Sequence, residues 1–253
     1  MSIISILRDA NNFSRRKFSF KFGGLKSPNK IYIDQSKLSG KKRELYSMEA
    51  IILKNGLLGD FRRSTSSDSS ERKYQKIESS PYPVGNCYEY SLVAFFYLQQ
   101  QRNQDVLNEF KSSCTIEIIG TYPPYSHNFV LIVPDQGSIT RNIGDTFIRN
   151  QLPANSWICD PWANIVCEAK FYSIEWRLKM EKWSNNKKHI LGVLDANGVP
   201  MDHADPRDDS MYYLAEKSIT KIVDLIKLEY EKEERLNNIG ELLMSLDKDD
   251  MLP

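Results

Sequence analysis

Much is missing from this chain, and each absence removes a class of function. The 253 residues include only 3 histidines and 4 cysteines. Cys87, Cys114, Cys159 and Cys167 make no CxxC pair and are too sparse for a disulfide framework, so free thiols in a reducing compartment are expected. Cys114, Cys159, Cys167, His189 and His203 show no zinc-ligand spacing. Asp202, Asp205, Asp208 and Asp209 crowd one loop without the alternation and glycine of a calcium-binding hand, so no metal site is expected. There is no Walker loop, no GxGxxG and no GxSxG, and no cofactor is implied. The formal net charge of +1 gives no general bias toward nucleic acid or anionic membrane. No apolar run approaches the roughly 18–20 residues that span a bilayer. The N-terminal apolar stretch is broken by Arg8 and Asp9 and makes a poor secretory signal. A protein with 41% apolar and 26% charged residues is expected to be a soluble globular body.

What is present divides into three segments. Residues 1–80 read as an extension carrying the basic cluster Arg15-Arg16-Lys17, open to phosphate or anionic-lipid contact or simply a solvated face. Phe18, Phe20 and Phe22 alternate as in a strand, Ile31-Tyr32-Ile33 predicts another, and Lys41 to Lys54 predicts a helix closed by Gly56. Arg62 to Ser80, with its serine run, predicts a mobile loop or linker. Residues 81–200 predict a core. It holds the apolar run after Cys87, strands at 115–119, 127–133 and 157–160 around a Pro-rich loop at Tyr122 to Tyr125, a helix at Phe171 to Trp183, and a strand at Lys188 to Leu194 before an Asn197-Gly198 turn. Residues 201–253 predict an acidic loop, then helices from Met211 to about Leu246 with an acidic patch at Glu229 to Glu234.

One stretch in the core carries chemistry. In Gly85-Asn86-Cys87-Tyr88-Glu89-Tyr90-Ser91, Asn86 is a good N-cap and Cys87 opens a long apolar helix. There the free N–H groups and the positive dipole end favour a thiolate. A cysteine that only filled space could sit anywhere along the run. His127 opens a strand that is apolar on both faces, and Asp160 ends another strand that Pro161 stops. Helix starts and strand ends meet at the edge of a core, so the three can converge as nucleophile, base and orienter. Read blandly, the cysteine is core packing and the histidine a satisfied strand edge.

Together, Gly85 to Ser91, Ser126-His127-Asn128-Phe129-Val130 and Trp157-Ile158-Cys159-Asp160-Pro161-Trp162 resemble the three motifs of transglutaminase-like, papain-fold cysteine enzymes. More narrowly they resemble secreted bacterial effectors with a Cys-His-Asp triad. The resemblance implies an α+β fold, with a buried nucleophile helix on an antiparallel sheet and additional C-terminal helices. It also implies Cys87 as nucleophile, His127 as base and Asp160 as orienter. Papain-like proteases carry an oxyanion glutamine where this chain has Pro81, so the donor is sought at the Cys87 N–H with Asn86. Trp162 is a candidate wall of the site. The acidic C-terminal patch is similar to the translocation signals of type IV secretion effectors.

The implied activity is thiol-dependent acyl transfer at an amide of a protein substrate, with glutamine deamidation or transglutamination inside a host cell as the expected reaction. A cysteine protease of the same fold and a non-catalytic papain-like binding module are the alternatives. Neither nucleic acid nor an integral membrane is an expected partner.

Overall fold

The computed structural model describes residues 1–19, 21, 23–36, 38–121, 127–135, 141–148, 151–153, 155–194, 200–208 and 219–230. It is an α+β protein with two antiparallel sheets. The larger sheet has the order β4-β9-β2-β3-β5-β6, built from β2 (Cys114–Thr121), β3 (Asn128–Pro134), β4 (Thr146–Ile148), β5 (Trp157–Asp160), β6 (Ile165–Glu168) and β9 (Ile219–Leu228). The smaller has the order β1-β7-β8, from β1 (Lys30–Tyr32), β7 (Lys188–Leu194) and β8 (Pro200–Ala204).

The central helix, α5 (Cys87–Gln101), is buried around nearly its whole circumference, as its uninterrupted apolar sequence requires. It packs on β2, β3 and β5 from one side. The helix α1 (Ile3–Lys17) covers it from another, with Ile3, Ile6, Leu7 and Ala10 on one buried stripe. Phe13 stacks on Tyr97 and Phe18 on Tyr90, with ring centroids 4.4 and 4.3 Å apart. The helix α6 (Asn103–Phe110) follows α5, and α7 (Tyr172–Asn185) packs Tyr172, Trp176 and Met180 beneath β6.

Register positions the site. Antiparallel pairing of β3 with β5 sets Val130 opposite Cys159, so the start of β3 lies beside the end of β5. His127 immediately precedes β3 and Asp160 closes β5.

Several expectations need correction. The single helix at 41–54 is two: α2 (Gly40–Leu45) and α3 (Met48–Ser64). Ser47 caps the second by accepting from Ala50 N, and Gly56 lies inside α3 without ending it. The loop expected at 62–80 is largely helical. Ser69 caps α4 (Ser70–Ser79), whose Tyr74 and Ile77 are buried, with Tyr74 stacked on Phe96. Phe18 follows α1 in a turn, not a strand; Phe20 and Phe22 lie outside the described residues. The acidic loop at 201–210 contains β8, and the helix expected from Met211 contains strand β9 instead. In β9 Thr220 and Ile222 are buried while Ile219, Lys221 and Val223 are exposed, the alternation of a strand rich in β-branched residues. The Tyr122–Tyr125 loop, the Asn197-Gly198 turn and residues 231–253, with most of the acidic patch and the last amphipathic stripe, lie outside the described residues.

Candidate active site

The first turn of α5 is fixed before any chemistry is considered. Asn86 and Glu89 form a capping box, with Glu89 Oε2 accepting from the Asn86 N–H at 2.9 Å. Glu89 is only 1% exposed, and its carboxylate is neutralised by Arg62 of α3. That guanidinium donates through Nε to Oε1 at 2.8 Å and through Nη2 to Oε2 at 2.9 Å. Such a bidentate pair locks both distance and plane. Gly85 is obligatory here, because a Cβ would stand 2.5 Å from Glu89 Cβ and 2.9 Å from Phe18 Cε1.

Cys87 projects from this clamped turn and is 8% exposed. Its Sγ lies 3.7 Å from Asn128 Oδ1, and it hydrogen-bonds His127. On the far side of the imidazole, His127 Nε2 is 2.8 Å from Asp160 Oδ2. With Nε2 committed to the carboxylate, Nδ1 is the nitrogen that serves the thiol. Asp160 is itself saturated: Tyr172 Oη donates to Oδ2 at 2.7 Å and Ala163 N–H donates to Oδ1 at 2.8 Å. The His127 ring is held between Trp162 and Trp176, with centroids 5.1 and 4.9 Å away.

The charges follow from these contacts. Burial opposes a cation at His127, yet the charge and hydrogen bond of Asp160 and the hydrogen bond of Cys87 raise its pKa to about 9. Burial likewise opposes the Asp160 anion, but His127, the Ala163 N–H and Tyr172 outweigh it and lower its pKa. The pair is therefore imidazolium and carboxylate at neutral pH. At two buried thiols outside the triad, burial pushes Cys114 up to about 12 and Cys159 well above the usual thiol range.

The structure thus brings Cys87, His127 and Asp160 together. It places Asn86 at the helix cap, where its Oδ1 accepts from Ser27 Oγ at 2.8 Å. Trp162 lies against the His127 ring, its Nε1 donating to Ser27 Oγ at 3.0 Å and Asn29 Oδ1 at 3.1 Å. Sequence reasoning missed Asn128, Tyr172, Ser27, Lys30 and the Arg62–Glu89 clamp. Glu89 alone had a readable signal, standing three residues after an N-cap Asn as a capping box demands.

Lys30 of β1 is the least foreseeable neighbour. It is buried, donates to the Trp162 carbonyl, and sits 4.0 Å from the Trp162 ring centroid and 4.8 Å from that of Trp183. Burial, then Lys188 and Arg15, hold its pKa well below that of an ordinary lysine, against the opposing pull of Asp160 and Cys87.

Among the described residues no helix is long and apolar enough to cross a membrane, and no cluster of His, Cys, Asp and Glu suits a metal ion. No protein-family model, curated protein or solved structure matches the chain.

Proposed function

We propose that this protein is a thiol-dependent acyl-transfer enzyme acting on amides of a protein substrate, a glutamine deamidase or transglutaminase of the papain-like type. The observation that carries this reading is the continuous chain from Cys87 through His127 to Asp160, with the thiol at a helix N-terminus and the imidazole held cationic. Cys87 Sγ attacks the amide carbonyl while its proton resides on His127. The tetrahedral oxyanion forms against the positive end of α5. His127 then protonates the leaving ammonia, and a thioester remains. Water resolves it to a glutamate, or a lysine amine resolves it to an isopeptide bond, with His127 removing the proton of the attacking group.

The small exposure of Cys87 favours a slender side-chain amide over an extended peptide backbone. The motif resemblance to secreted effectors is the ground for placing the substrate in a host cell.

The test is comparative mass spectrometry of a host-cell lysate treated with wild type or Cys87→Ala. A glutamine-to-glutamate mass change, or a glutamine–lysine crosslink, is expected with wild type only. New peptide termini would replace this reading with proteolysis. Identical peptide maps, together with iodoacetamide labelling that ignores Cys87 in the folded protein, would sink it.

A further inference from the structure

A cavity of about 490 Å³ opens between α1, the segment before β1, and β7, and its walls include Arg15, Arg16, Lys26, Lys30 and Lys188. Its volume falls in the roughly 300–1,000 Å³ range of small-molecule sites. No carboxylate is among its described lining residues, and none of these five basic side chains forms an ion pair with a described acid. In a chain of net charge +1, this is a local concentration of positive charge that the overall composition conceals.

The cations are arranged, not scattered. Arg15 Nη1 donates to the Pro161 carbonyl at 2.8 Å, and Lys30 Nζ donates to the adjacent Trp162 carbonyl. Two backbone acceptors thus hold two basic side chains beside one cavity. Burial, and then Arg15, Lys26 and Lys42, lower Lys188 to about 7. Lys17, next in sequence to Arg16, is excluded from this set: it turns away to Glu78, 3.6 Å from its carboxylate.

We propose that this cavity binds a compact anion carrying two or more adjacent phosphate groups. Arg15, Arg16 and Lys26 face the cavity with Lys188 and Lys30, which burial and neighbouring cations have made readier to lose a proton and which regain it beside an anion. One phosphate, at about −1.5 to −2 charges, is too few for this set, whereas two or three clustered phosphates match it. Phosphate oxygens also suit the guanidinium forks of Arg15 and Arg16, and Ser27 Oγ lies on the same wall. The binding claim does not depend on Cys87 chemistry. A soluble polyphosphate and a multiply phosphorylated lipid headgroup share the required groups.

The test is calorimetry of the full chain with inorganic tripolyphosphate, beside flotation on phosphatidylcholine vesicles with and without phosphatidylinositol bisphosphate. Saturable 1:1 binding of tripolyphosphate is expected, weakened about tenfold or more in R16Q/K188Q, whose fold is checked by circular dichroism. Arg8→Gln removes an exposed cation outside the cavity and should leave affinity unchanged. Flotation that requires the phosphoinositide and is displaced by tripolyphosphate assigns a headgroup; its absence, with tripolyphosphate bound, assigns a soluble ligand. No saturable tripolyphosphate binding, equal affinity for citrate, or equal weakening by Arg8→Gln would overturn the proposal.

Discussion

At Cys87 Sγ the chemistry has two neighbours, an imidazole that was foreseeable and an amide that was not. Asn128 Oδ1 lies 3.7 Å from the sulfur, and Asn128 stands where a strand residue normally points at neighbouring side chains, not at a nucleophile. Its space is made by Gly120 on β2, where a Cβ would come within 3.0 Å of Asn128 Nδ2. Because that oxygen can only accept from the protonated thiol, a bond the attacking thiolate must give up, Asn128→Ala should speed iodoacetamide labelling of Cys87 about fivefold, the worth of one modest hydrogen bond, with little change in melting temperature. An unchanged labelling rate would remove Asn128 from the site. The His127–Asp160 pair makes a different statement, about stability. A histidine whose folded pKa exceeds its unfolded value near 6.5 stabilises fully below that value, and the contribution is lost as pH rises toward about 9. Urea unfolding should show this decline, at no more than roughly 1.4 kcal/mol per pH unit, and Asp160→Asn should flatten it. The partner effect has the opposite sense: because Asp160 is lowered, its contribution holds above the normal carboxylate range and falls as pH drops through the folded value. A variant with the wild-type alkaline slope would show that Asp160 does not hold the imidazolium.

At the scale of elements, α5 was legible because its message is redundant: a cap residue, then an apolar run with no breaker. Strands β2, β3 and β5 were legible for the same reason, since β-branched runs end at Pro or Gly. The helix α4 was hidden by its composition, because only Tyr74 and Ile77 bury it and the serines around them read as linker. In β9 the apolar residues satisfy a helical template almost as well as a strand, and only pairing with β2 and β4 decides between them. Tertiary partners of this kind leave no local trace. The Arg62–Glu89 clamp shows the same gap in a functional element: its glutamate was visible as a capping residue, its arginine was not. Arg62→Ala leaves a buried carboxylate without its counter-charge. Because the Arg62 side chain is about half exposed, the cost should be below that of a fully buried pair, about 1–3 kcal/mol by chemical denaturation. Cys87 labelling should slow with it, since the clamp fixes the turn from which the thiol projects. Glu89→Gln, which keeps the cap acceptor without the buried charge, should lose less. Equal stability of wild type and Arg62→Ala would mean that solvent already satisfies Glu89.

For the whole molecule, the three motifs lie within residues 81–200, but the core that supports them does not. The helix α1 buries Ile3, Ile6, Leu7 and Ala10 against the central body, and β9 lies between β4 and β2 in the main sheet. Lys30, beside the triad, arrives on β1 from the small sheet. The long-range pairing of a C-terminal strand with β2 closes the sheet around a nucleophile helix that α1 shields from the other side. Three large aliphatic side chains of α1 contribute about 1.5–3 kcal/mol each on burial, together about 4.5–9 kcal/mol. That is comparable with the roughly 5–15 kcal/mol of net stability available to a whole domain. A fragment of residues 81–200 should therefore lack a cooperative thermal transition and should expose apolar surface to a hydrophobic dye, whereas the full chain should melt cooperatively. Adding residues 1–17 back as a separate peptide should not rescue it, because β2 would still lack β9 and present an unpaired edge. A cooperative melt from the 81–200 fragment alone would show that the triad rests on a self-sufficient core, with α1 and β9 as additions to it.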